Sequence, residues 1–210
     1  PLFETVEELE SAGEIMAELF KAKVYQRHLI GRRNHQFVML GYSASNKELG
    51  PMGSQWTLRR AQEALMQVAK EAKVDLTIFH GRGNTSSRNA GLVETYTRTM
   101  PDGAARSRVR FTEQGELIHD KYSLRPIALR VFEQAFNALS LAHAGVRAPE
   151  KVMPEWRQAM DCMAREGSRA YRSFVCDDAQ LYEFFRLATP VDVIERIQIG
   201  SHSNYRDTPT

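Results

Sequence analysis

Residues able to do chemistry in this chain collect where short apolar runs stop. The run Leu76 to Phe79 gives way at once to His80-Gly81-Arg82-Gly83, and Arg88 follows in the same polar stretch. Glu4 lies in "PLFET", Lys47 in "GYSASNKELG", and Arg110, Glu113 and Glu116 in "RFTEQGELI". One carboxylate with a lysine, a histidine and several arginines suits a small polyanionic, phosphorylated ligand. The guanidinium fork matches phosphate and carboxylate oxygens in bidentate fashion. Gly81 and Gly83, on either side of Arg82, let backbone N–H groups approach the same anion.

Each of these residues also has an ordinary structural use. A glutamate beside a capping threonine is a favourable charge at a helix N-terminus. A lone lysine in a polar loop is solvated, and a single histidine is more often satisfied inside a fold than catalytic. Arg82, set between two glycines, is the exception. Position joins the rest, because the carboxyl ends of strands are where α/β proteins build their sites.

The elements that must supply those strand ends can be read in order. Thr5-Val6-Glu7-Glu8 has the form of a capping box, and Val6, Leu9, Gly13, Met16 and Phe20 follow at helical spacing. Leu2-Phe3 then closes a strand, with Glu4 at the strand-to-helix junction. A second short helix ends near Gly31, and Gln36 to Tyr42 reads as a strand apolar on both faces, as in a parallel sheet covered by helices. Gly53 to Ala72 is a helix with Ala61, Ala64, Leu65, Val68 and Ala72 on one stripe. Leu76 to Phe79 is the third strand and Ser107 to Phe111 a candidate fourth. Pro126 to His143 is an amphipathic helix carrying Phe132 and Phe136. Helices alone follow: one opening at Pro154, one through Arg169 to Val175, one around Gln180 to Leu187, and one capped by Thr189-Pro190. Strands separated by helices imply right-handed βαβ units and a parallel sheet. Three to four such strands cannot close an eight-stranded barrel, which takes about 250 residues.

The whole chain bounds the answer further. Its 210 residues are 42% hydrophobic and 26% charged, the profile of an ordinary globular protein. Lysine and arginine total 28 against 26 acids, so a net charge of +2 gives no electrostatic reason to expect nucleic acid or a membrane surface. No apolar run approaches the roughly 20 residues a bilayer requires. The first residues carry no basic segment followed by an apolar core. Cys162 and Cys176 have no CxxC spacing or nearby histidine pair, which predicts buried free thiols in a reducing, cytoplasmic compartment. Starting at Pro1 and ending in polar "SHSNYRDTPT", the chain reads as part of something longer.

"PLFET", "VMLGYSASNK", "FHGRG" with its second arginine at Arg88, "TEQGE", "EWRQAMD" and "FRLATP" occur in an order and at a spacing that resemble phosphoenolpyruvate carboxylase along nearly the whole chain. The resemblance implies a partial TIM-type (β/α)8 barrel over 1–125 carrying the site motifs. An all-helical part over 126–210 would pack on it. It implies carboxylation of phosphoenolpyruvate with bicarbonate, assisted by Mg²⁺ or Mn²⁺, to give oxaloacetate and phosphate by way of carboxyphosphate and the pyruvate enolate. That reaction fixes carbon dioxide and feeds the tricarboxylic acid cycle. Carried over residue by residue, Glu4 matches one of two acidic metal ligands and Lys47 a lysine tied to bicarbonate use. His80 and Arg82, with Gly81 and Gly83, match groups near the substrate's charges, and Arg88 matches a mobile-loop arginine needed for carboxylation. The implied partners are those substrates together with further parts of the same chain or homologous subunits.

The chain also departs from the pattern. Where the family reads Gly-Tyr-Ser-Asp, with the aspartate as second metal ligand, this chain reads Gly41-Tyr42-Ser43-Ala44, and a methyl group cannot coordinate Mg²⁺. Asn84, Ser87, Asn89 and Ala90 depart from the family's glycine-rich loop, and Gly200-Ser201-His202-Ser203 lacks the family's arginine. Two readings follow: a segment of a carboxylase that does not turn over by itself, or a non-catalytic paralogue that keeps the fold and an anion pocket.

Overall fold

The computed structural model describes residues 1–81, 100, 101, 103, 104, 108–113, 115–144, 153–194 and 196, with the backbone alone at 115–117. Among them, strands β1 (Leu2–Phe3), β2 (His35–Gly41), β3 (Asp75–Gly81) and β4 (Arg110–Thr112) form a parallel sheet in the order β1-β2-β3-β4. The helices are α1 (Val6–Lys21), α2 (Lys23–Gly31), α3 (Ser43–Ala72), α4 (Gly115–Tyr122), α5 (Arg125–His143), α6 (Pro154–Val175), α7 (Ala179–Ala188) and α8 (Val191–Ile194). The chain is thus a mixed α/β protein, mostly helical, with compact units at Pro1–Ser168 and Arg169–Thr210. No described helix is long and apolar enough to cross a membrane.

Register decides what each sheet face carries. Phe3, Leu40, His80 and Phe111 are successive partners across the four strands, and Leu2, Met39, Phe79 and Arg110 form the neighbouring row. Side chains alternate along a strand, so the two rows face opposite ways. The first face holds the core: Phe3, Val38, Leu40 and Ile78 are buried with Leu9, Ala12, Met16 and Phe20 of α1 and Leu58, Ala61, Leu65 and Ala69 of α3. The two helices approach closely at Gly13, where an added Cβ would lie 3.0 Å from Ala64 Cβ. On the other face Phe37, Met39 and Phe79 are only half-buried, so β2 is not covered on both sides as its composition predicts.

The capping box at the start of α1 forms as expected: Glu8 N–H donates to Thr5 Oγ1, and Thr5 N–H to Glu8 Oε2. Helix α3 begins ten residues before the expected Gly53. Gly50 breaks it with φ 71° and ψ 177°, Pro51 restarts it, and the buried hydroxyls of Ser45 and Ser54, 2.8 Å apart, tie the two limbs together. Its buried stripe runs through Leu58, Ala61, Leu65 and Ala69, while Ala64 and Ala72 lie outside it.

Two further expectations change. α6 runs unbroken from Pro154, so Arg169 to Val175 is no separate helix. Cys162 and Cys176 are exposed instead of buried: α6 buries Ala164 and Ser168, too narrow a stripe to include Cys162. The apolar residues of α5 also lie largely open, with Phe132 59% and Phe136 75% exposed. Within the second unit, Asp178 caps α7 by accepting from the Gln180 and Leu181 N–H groups, and Phe184, Phe185 and Leu187 are exposed.

Candidate functional site

Glu4 is fixed from several directions at the carboxyl end of β1. Its N–H donates to Glu8 Oε2 at 2.9 Å and its carbonyl accepts from Ser45 N–H at 3.2 Å. The Glu4 and Thr5 N–H groups in turn hold the Glu8 carboxyl below its ordinary pKa. Glu4 Oε1 accepts from the Ser43 hydroxyl at 2.5 Å and from Ala44 N–H at 3.4 Å, so the first turn of α3 supplies the donors. The side chain lies across Gly41, where a Cβ would come within 2.4 Å of Glu4 Cγ. Glycine is required there by contact.

Gly41 pairs in register with Gly81, whose own added Cβ would meet Met39 Cε at 2.7 Å. Adjacent strands therefore end in two glycines that make room for neighbouring side chains, Gly41 for Glu4 and Gly81 for Met39.

His80 turns the other way. It is fully buried, with Nδ1 2.9 Å from the Tyr42 hydroxyl in hydrogen-bond contact and its ring stacked on Phe111 at 5.3 Å between centroids. Tyr42 itself is buried at the β2–α3 junction. His80 thus ties the ends of β2, β3 and β4 together from the opposite face.

Lys47 stands exposed on the first limb of α3, one turn beyond Ser43 and so on the same helix face. No ion pair to it occurs among the described residues, which leaves its charge available at the edge. Arg110 lies one row back from that edge, its guanidinium 4.6 Å from the Phe79 ring centroid and 5.6 Å from that of Phe37. Glu113 does not offset the edge cations: it pairs with Lys121 at 2.5 Å, and burial, with the same carboxylate added, pushes the Tyr122 hydroxyl up to about 12. Arg82, Gly83 and Arg88 lie outside the described residues, as does the side chain of Glu116.

The structure therefore brings Glu4, Gly81 and Lys47 to one edge and sets His80 on the opposite face of the same strand end. Sequence reasoning missed three contributors: Ser43 as the donor to Glu4, Tyr42 as the partner of His80, and Gly41 as the space Glu4 needs. The available signal was a glycine closing an apolar strand one residue before a tyrosine and two before a hydroxyl. A metal fits this donor set poorly. Among the described residues no group of three or more His, Cys, Asp or Glu side chains could hold an ion, and one oxygen of the single carboxylate is already engaged by Ser43 and Ala44.

A four-stranded parallel sheet among helices, with Glu4 held and Lys47 exposed at its carboxyl edge, makes this an α/β protein. The family profile described as phosphoenolpyruvate carboxylase matches residues 1–210, and the chain belongs to that family. It is 44% identical over 206 residues to the phosphoenolpyruvate carboxylase of Xanthomonas euvesicatoria, which covers 98% of this chain and 23% of that protein. The phosphoenolpyruvate carboxylases of Pseudomonas fluorescens and Shewanella sediminis are 40% and 38% identical, each over 96% of this chain and 22% of their own length. The chain spans less than a quarter of these relatives.

Proposed function

We propose that this chain supplies part of the phosphoenolpyruvate-facing edge of a phosphoenolpyruvate carboxylase and turns over only within a longer protein. The gathering of Glu4 and Lys47 at one carboxyl edge, where β2 and β3 end in register at Gly41 and Gly81, carries this reading. On that reading the four strands are a segment of a (β/α)8 barrel, with 1–125 carrying the site and 126–210 packed against it. Gly81 and Gly83 admit the substrate to backbone N–H groups, and Arg82 and Arg88 hold its phosphoryl and carboxylate oxygens. Lys47 attracts bicarbonate, and His80 braces the strand end that presents Arg82. The phosphoryl group passes from the enol oxygen to bicarbonate, giving carboxyphosphate and enolate. The enolate carbon is then carboxylated to oxaloacetate and phosphate leaves. Cytoplasmic, anaplerotic carbon fixation is the matching role.

Ala44 favours a second reading, in which the chain is a non-catalytic paralogue that keeps the anion pocket for regulation or subunit binding. A chimera separates the two. Residues 1–210 replace the matching segment of the Xanthomonas euvesicatoria relative, and oxaloacetate is measured by NADH-coupled reduction. The carboxylase reading expects activity that Ala44→Asp raises. A folded chimera that forms no oxaloacetate with or without Ala44→Asp establishes the paralogue instead.

A further inference from the structure

Tyr42 belongs to both halves of the carboxyl edge. It follows the end of β2 and stands at the N-cap of α3, whose first turn holds Glu4 through the Ser43 hydroxyl and the Ala44 N–H. Its own hydroxyl lies 2.9 Å from Nδ1 of His80, two residues before Arg82 in the chain. One side chain therefore joins the element that fixes the carboxylate to the strand that leads into His-Gly-Arg-Gly.

The contact is confined to one geometry. His80 is 0% exposed and Tyr42 2%, and a buried polar group that loses its partner bears the full cost of its lost hydration. Phe111 stacks on the imidazole at 5.3 Å between centroids, and the Tyr42 ring meets it edge-on at 6.2 Å. The ring plane is thus set by two neighbours. A hydroxyl and a ring nitrogen can share a proton in two ways. The phenol is the stronger acid and the imidazole nitrogen the stronger base, so the hydroxyl donates and Nδ1 accepts, leaving the ring proton on Nε2.

We infer that Tyr42 is a positioning residue: by donating to Nδ1 it holds His80 as the Nε2–H tautomer and so fixes the strand end that leads to Arg82. This rests on the reading of that edge as a phosphoenolpyruvate site. Tyr42 and His80 are buried on the other face, so both act on the ligand only through the strand end. A shift of about an ångström in a group that holds a ligand is enough to weaken its hold.

The test follows the histidine ring nitrogens of the ¹⁵N-labelled 210-residue chain near neutral pH, and titrates phosphoenolpyruvate by calorimetry. In the parent, His80 shows one tautomer, with an acceptor-type Nδ1 and a protonated Nε2. Tyr42→Phe, which removes only the hydroxyl, moves both nitrogen signals toward each other as the tautomers mix, and weakens phosphoenolpyruvate roughly fivefold, as for one lost hydrogen bond. His80→Phe weakens binding to a similar extent, and adding Tyr42→Phe to it costs nothing further, because the hydroxyl acts through the imidazole. A parent with Nδ1 protonated overturns the assignment without any variant. Unchanged nitrogen signals or unchanged affinity in folded Tyr42→Phe, or losses that add in the double variant, overturn it as well. A parent that binds no phosphoenolpyruvate refutes the substrate reading instead, and the nitrogen signals of the parent and of Tyr42→Phe still decide whether Tyr42 sets the tautomer.

Discussion

Ala44 meets Glu4 through its backbone, the N–H lying 3.4 Å from Glu4 Oε1, with the Ser43 hydroxyl on the same oxygen at 2.5 Å. Position 44 is therefore already beside the carboxylate, and what it lacks is a second acid. Mg²⁺ and Mn²⁺ are content with one or two carboxylates plus water and substrate oxygens, so an acid at position 44 would add a second ligand to the one that Glu4 offers. We expect very weak Mn²⁺ binding in the unmodified chain and binding roughly tenfold or more tighter in Ala44→Asp. Without metal the adjacent carboxylates repel, so the variant should melt lower at pH 7 than at pH 5. Calorimetry and thermal melts check both, and tight Mn²⁺ binding by the unmodified chain would refute the weakened site.

Gly41→Ala tests how Glu4 is held. A methyl group there would overlap the Glu4 side chain, which must then leave the Ser43 hydroxyl. The expected cost is about 1–3 kcal/mol in denaturant unfolding, typical of overpacking. Adding Glu4→Ala should relieve most of it, and a double variant no more stable than Gly41→Ala would place the strain elsewhere.

Glu63 gives a pH dependence. Burial pushes its carboxyl up, but Arg157 and Arg59 outweigh burial and hold it below its ordinary value of 4.5. A carboxyl lowered in the fold stabilises above 4.5, and that contribution is lost as pH falls through the lower, folded value. We expect Trp56 fluorescence to report loosening between α3 and α6 below pH 4.5, and Glu63→Gln to flatten that part of the profile.

The open apolar face of α5 bears on assembly. Phe132 and Phe136 are more than half exposed, and contiguous apolar surface of this kind draws in other chains. Sedimentation should show concentration-dependent self-association that Phe132→Glu with Phe136→Glu reduces. A monomer at all concentrations would contradict the expectation.

Much of the fold was legible because its signals are local. Leu76 to Phe79 and Gln36 to Tyr42 are apolar runs closed by glycine, and Thr5 with Glu8 spells a capping box; each depends on neighbours in sequence. The start of α3 was not legible, because Gly50-Pro51 reads as a stop. Only the three-dimensional tie between Ser45 and Ser54 makes it a kink within one element. The burial of Cys162 and the faces of α5 depend on distant packing partners, which periodicity does not reveal. At the site, His80 was expected on the same rim as Glu4, Lys47 and Gly81; its place on the opposite face and its partnership with Tyr42 needed the strand register.

The central claim is that the carboxyl edge remains a phosphoenolpyruvate site, and Arg82→Ala tests it most directly. Phosphoenolpyruvate is titrated into the parent chain and the variant at low and high salt, and the unfolding free energy of both is measured alongside. The parent should bind in a salt-sensitive way, and the variant more weakly by about 1.5–3 kcal/mol, as for a lost charge-assisted hydrogen bond, with stability unchanged. A variant that binds phosphoenolpyruvate as the parent does but unfolds more easily would show Arg82 to be part of a structural charge cluster, contradicting the account.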